Sequence, residues 1–82
     1  MKDILDVIDF YLAVNRSQIK EDSKIEDLVF DSLDFLGAVI EIEGAYAVEL
    51  EDEEFESIKT VKELFDFLIL KGVDKRYLKL DE

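Results

Sequence analysis

Not one proline interrupts the 82 residues of this chain, and only three glycines, Gly37, Gly44 and Gly72, relax its backbone. Proline is what a helix interior tolerates least, and turn-rich sheet proteins use far more of both residues. The apolar positions agree, recurring at the 3.6-residue spacing that turns one face of a helix toward a core. The chain is therefore expected to be all-α: a four-helix bundle with a long loop between its first two helices and a short third helix.

The spacing predicts a first helix over residues 2 to 14, with Ile4, Val7, Ile8, Tyr11 and Val14 on one face. Asn15 to about Asp31 is polar and broken only by Ile19, Ile25 and Leu28, which reads as a long loop held by apolar anchors. A second helix is expected from Ser32 to about Tyr46, its core stripe formed by Leu36, Val39, Ile42 and Tyr46 and widened by Phe35. On another face of that helix Leu33, Gly37, Ile40 and Gly44 follow one another, flanked by Asp34 and Glu41. Apolar and small residues outside the core stripe suggest a surface for partners, with Asp34, Ile40 and Glu41 as its contacts. The segment EEFESI predicts a short third helix with Phe55 and Ile58 turned inward. In the fourth helix Thr60 is placed as N-cap and Glu63 as its capping-box partner, ahead of Val61, Leu64, Phe65, Leu68 and Ile69. Gly72 reads as the stop of that helix, and residues 71 to 82 form a basic-apolar extension of what is otherwise one domain.

Charge narrows the possible functions. Twenty-two acidic residues against ten basic ones give a formal net charge of −12, which argues against nucleic acid as a partner. The excess is local: residues 21 to 56 hold fourteen acids and one base, Lys24. Such a field favours basic partner surfaces and speeds association with them. With no histidine and no cysteine, the usual general base and the usual nucleophilic thiol are both missing, so an enzyme is not expected. The carboxylates lack the alternating ligands and central glycine of a calcium loop, and no glycine-rich phosphate loop occurs. No metal is expected. Aspartates at positions 3, 6 and 9 spoil a secretory signal, and the longest apolar run, Phe35 to Ile40, is far too short to span a bilayer, which predicts a cytoplasmic protein with no membrane contact.

What stands out is Ser32, between Asp31 and Leu33 at the start of the second helix. Aspartate and serine are the commonest N-cap residues, so the triplet is accounted for by capping alone. The free N–H groups and positive dipole of a helix start would equally favour an anion, such as a phosphodiester, attached to the serine. Both readings stay open on those three residues.

The order of features around the triplet resembles the acyl carrier protein family. An amphipathic first helix, a long loop ending in IEDLVFDSLD, a second helix running into IEIEGAYAVELEDEE and a last helix IKTVKELFDFL follow the family pattern over most of the chain. The resemblance implies a small acidic four-helix bundle carrying 4′-phosphopantetheine on Ser32, with Asp31 and Leu33 as recognised neighbours. It implies that a phosphopantetheinyl transferase supplies the arm from coenzyme A, and that the protein, a monomer, presents acyl groups to enzymes of fatty acid, lipid or polyketide synthesis through basic docking surfaces. An acyl chain would slip between helices lined by Leu36, Val39, Phe65 and Leu68. Aminoacyl or peptidyl cargo is the alternative within the family, and an unmodified interaction module is the alternative outside it. Four residues depart from the pattern: Val29 and Phe30, where the family has a glycine and a small or polar residue, and Gly37 and Gly44, where fatty-acid carriers present glutamates.

Overall fold

A computed structural model describes residues 1–81, so that Glu82, the last residue of the expected extension, lies outside the described residues. There are four α-helices, α1 (Ile4–Ile8), α2 (Ser32–Tyr46), α3 (Asp52–Phe55) and α4 (Val61–Leu70), with short 3₁₀ turns between α1 and α2 and after α4, and among the described residues there is no strand. The all-α expectation holds. No helix among them is long and apolar enough to cross a membrane.

The first helix is shorter than its periodicity suggests. It tightens into a 3₁₀ turn at Asp9–Tyr11 and ends at Leu12, where the backbone becomes extended. Leu12 then pairs antiparallel with Val29, and the Ala13 N–H donates to the Leu28 carbonyl at 2.7 Å. A non-local pairing therefore takes over the hydrogen bonds that a longer helix would have used. The core face shifts with it: Ile4, Leu5 and Ile8 are buried, whereas Val7, Tyr11 and Val14 are only half-buried.

The long loop behaves as its anchors predict, with Ile19 and Leu28 buried and Ile25 half-buried. It also does a second job, because a helix start leaves N–H groups without intrahelical partners. The amide of Val61 donates to the Ser23 carbonyl at 3.0 Å, that of Lys62 to the Glu21 carbonyl at 2.9 Å, and that of Glu63 to the Thr60 hydroxyl at 3.2 Å. Thr60 is thus the N-cap, as expected. The Glu63 carboxylate, however, accepts from the Thr60 hydroxyl at 3.2 Å rather than from backbone, so the capping box is incomplete. At the other end α4 closes in a Schellman motif: Gly72, with φ of 103°, donates to the Ile69 carbonyl, and Val73 donates to that of Leu68.

Two core assignments need correction. In α2 the buried stripe is Ala38, Val39, Ile42 and Tyr46 with Phe35 half-buried, and Leu36 is 45% exposed. At about 100° per residue, Leu36 falls a quarter-turn from the centre of that stripe and joins the outward face instead. In α4 Val61, Leu64, Phe65 and Leu68 are buried but Ile69 is 44% exposed; Phe67 packs inward instead, its ring 5.7 Å from that of Phe55. Phe55 in α3 is buried and Ile58 half-buried, as expected.

Gly37 and Gly44 look alike in the sequence and differ in the fold. A methyl group at Gly37 would fall 2.8 Å from Cζ of Tyr11, whereas at Gly44 nothing lies within 4 Å. Gly37 is the place where Tyr11 crosses α2; Gly44 is an ordinary exposed helix position. Gly44→Ala is therefore expected to raise stability by about 1 kcal/mol. Gly37→Ala should lose that gain to overpacking, which costs about 1–3 kcal/mol when the neighbour cannot move freely. Urea unfolding of the two variants checks this, and equal stabilisation by both would remove the packing explanation.

Candidate functional site

The capping question resolves in favour of Asp31. Its backbone is extended (φ −157°, ψ −177°), and its Oδ1 accepts from the Leu33 N–H at 2.9 Å and the Asp34 N–H at 3.0 Å. Ser32 is the first helical residue, not the cap. It is exposed, and among the described residues its hydroxyl enters no hydrogen bond. Of the two readings left open at Ser32, capping therefore passes to its neighbour Asp31. The N–H groups of Leu33 and Asp34 in the first turn are already engaged by a carboxylate, so an anion on Ser32 would sit beside Asp31 rather than on those two amides.

Ser32 opens onto a groove of about 510 Å³. The loop contributes Lys24, Ile25, Glu26, Val29 and Phe30; α2 and its cap contribute Asp31, Ser32 and Phe35; α3 and the link after it contribute Phe55, Ile58 and Lys59. Beneath lies an apolar void of about 40 Å³ that reaches Ile4, Ile8, Val39, Ile42 and Phe65. Ile25, Val29, Phe35 and Phe55 line both spaces and so form the partition between them. The Phe35 and Phe55 rings meet edge to face there, with centroids 5.5 Å apart. Of the residues expected to shelter a chain, Val39 and Phe65 line the void, while Leu36 and Leu68 line neither space.

The outward face of α2 is apolar where the sequence placed it. Leu33 is 74% exposed and Ile40 65%, with Glu41 exposed and Asp34 half-buried beside them. Phe30, one of the unusual residues, is 79% exposed at the groove beside Ser32. Sequence reasoning missed the lysines of the groove. Lys24 could be noticed only as the lone base of an acidic stretch, and Lys59 lies 35 positions further on with nothing local to connect them. Among the described residues no three carboxylates gather closely enough to hold a metal ion.

Comparison with known proteins agrees with this geometry. Residues 2–68 match the family model described as a phosphopantetheine attachment site. The acyl carrier protein of Chlorobium phaeobacteroides is 38% identical over 69 residues, covering 83% of this chain and 88% of its own length. That of Syntrophobacter fumaroxidans is 42% identical over 66 residues, covering 79% and 82%. That of Wolinella succinogenes is 40% identical over 67 residues, covering 80% and 88%. With the match spanning the helices, the serine and the groove together, the chain belongs to the acyl carrier protein family.

Proposed function

We propose that this protein is a cytoplasmic, monomeric acyl carrier that takes 4′-phosphopantetheine on Ser32, with residues 1 to 82 as one carrier domain and 71 to 82 as its extension. The observation that carries the reading is an exposed serine with an unengaged hydroxyl, held by a capped helix at the mouth of an apolar-walled groove. The residues fit the group. When bound, it supplies a thiol on which acyl cargo is held as a thioester.

The chain's own residues divide the remaining work. Asp31 fixes the start of α2 and so the direction in which Ser32 projects. In modification the Ser32 oxygen bonds to the pantetheine-side phosphorus as the pyrophosphate bond of coenzyme A breaks and adenosine 3′,5′-bisphosphate leaves. The hydroxyl proton passes to a base of the phosphopantetheinyl transferase, because this protein has neither histidine nor cysteine to take it. Phe35, Phe55 and Ile58 offer apolar walls that exclude water from cargo lying in the groove. This lining supports acyl over aminoacyl cargo. Leu33, Ile40, Asp34 and Glu41 form a docking face for the transferase and for acyl-processing enzymes with basic surfaces.

Incubation with coenzyme A and a broad-specificity transferase is expected to give one phosphopantetheine adduct by intact mass; an unmodified protein across several transferases would sink the reading. Docking adds an independent test. Reversing Asp34 and Glu41 to lysine should slow association with the transferase by about tenfold at low salt, with the difference shrinking as salt rises. Stopped-flow mixing at several salt concentrations measures it, and equal rates for both proteins would leave the apolar residues alone in charge of docking.

A further inference from the structure

Two positive charges line the groove at Ser32. Lys24 and Lys59 both belong to its wall, brought together by the antiparallel pairing of Lys24 with Thr60 and by a 2.9 Å hydrogen bond from the Ile25 N–H to the Lys59 carbonyl. Both are exposed, and among the described residues neither forms an ion pair. Of the other eight bases, Arg16, Lys62, Lys71, Arg76 and Lys79 each engage a carboxylate, and Lys2, Lys20 and Lys75, also without an ion pair among the described residues, lie outside the groove. In a chain of net charge −12, two unmatched bases on one groove run against the composition.

The rest of the lining defines what could use them. Glu26 and Asp31 are the acids of the groove, and Asp31 is already engaged by the amides of Leu33 and Asp34. Ile25, Val29, Phe30, Phe35, Phe55 and Ile58 are apolar. A plain hydrocarbon chain would occupy these six walls and find no partner in the ammonium groups. A chain with methylenes along its length and an anion at its end satisfies both kinds of surface.

We propose that the groove receives carboxylate-ended acyl chains, the methylenes lying on Phe35, Phe55 and Ile58 and the terminal carboxylate pairing with Lys24 and Lys59. The proposal rests on Ser32 bearing the arm. It is specific to the far end of the cargo and distinct from the phosphodiester at Ser32, which every form of the loaded protein shares.

The test loads the protein with coenzyme A, hexanoyl-coenzyme A or adipoyl-coenzyme A, each verified by intact mass, and follows hydroxylamine cleavage of the two acyl thioesters. Lys24→Gln together with Lys59→Gln should speed cleavage of the adipoyl form by about threefold, the range of a solvent-screened ion pair, and leave the hexanoyl form unchanged. The paired Lys→Arg variant should keep the protection, and about 1 M salt should abolish it. Amide resonances of both lysines should move on adipoyl loading and not on loading with the bare arm. Equal effects on hexanoyl and adipoyl forms, or none, overturn the proposal, as does a full response to the bare arm, which would make the phosphodiester the anion. Absence of any adduct is a separate outcome that overturns the carrier reading and this proposal with it.

Discussion

Ser32→Ala is expected to abolish the phosphopantetheine adduct completely while leaving the unfolding free energy within about 0.5 kcal/mol of the parent protein, as for a surface substitution that breaks no contact. The pairing of a total functional loss with a silent structural one follows from the division of labour at the start of α2. The cap is Asp31, whose carboxylate holds two first-turn amides, while the Ser32 side chain holds nothing among the described residues. Had Ser32 been the cap, alanine would cost about 1 kcal/mol. Asp31→Ala should show that cost, and Asp31→Asn should recover most of it, because an amide oxygen also accepts from the backbone. If modification follows the cap, Asp31→Asn is modified nearly as fast as the parent; if the transferase reads the charge, it is slow although stable. Intact mass over time and urea unfolding on the same three variants separate these outcomes. A Ser32→Ala protein destabilised by 1 kcal/mol or more would overturn the assignment of the cap.

Much of the fold around this site is legible in the sequence. The helix starts at Ser32 and Val61, the Thr60 cap, the Gly72 stop and the buried anchors Ile19 and Leu28 all follow from local rules about periods, caps and left-handed backbone. The misreadings have a common cause in contacts distant along the chain. The first helix stops early because Leu12 pairs with Val29, seventeen residues away. Leu36 and Ala38 exchange places because many residues of α2 are apolar, and a broad stripe has no sharp phase until its neighbours choose one. Gly37 and Gly44 are indistinguishable until Tyr11 is seen over one of them. Lys24 and Lys59 become a pair only through the backbone pairing of the loop with the start of α4. In each case a local rule supplied the candidates and a non-local contact selected among them.

Leu78→Ala is expected to lower stability by about 2–4 kcal/mol although it lies ten residues beyond the end of the family match. In a domain of this size that corresponds to a fall in Tm of about 10–25 °C. The extension packs back on the bundle: Val73 and Leu78 are buried, and Tyr77 lies 6.0 Å from Tyr46, centroid to centroid. Tyr46 in turn donates from its hydroxyl to the Lys2 carbonyl at 2.7 Å, tying the end of α2 to the N-terminus. Burial, with Asp3, Tyr77 and Asp6 adding to it, pushes the Tyr46 phenol up to about 12. Because this lies above the ordinary value of 10, the associated stability is complete below pH 10 and is lost as pH rises from 10 toward about 12. The same phenol therefore reports on the extension. Loosening it through Leu78→Ala should bring the Tyr46 titration down toward 10, read as tyrosinate absorbance in a protein whose other two tyrosines are replaced by phenylalanine. An extension that merely frays would give a loss under about 0.5 kcal/mol, as for an ordinary surface substitution, and no change in the titration. The two readouts test one assignment from independent directions: the burial of Leu78 and the contact that the neighbouring Tyr77 makes with Tyr46.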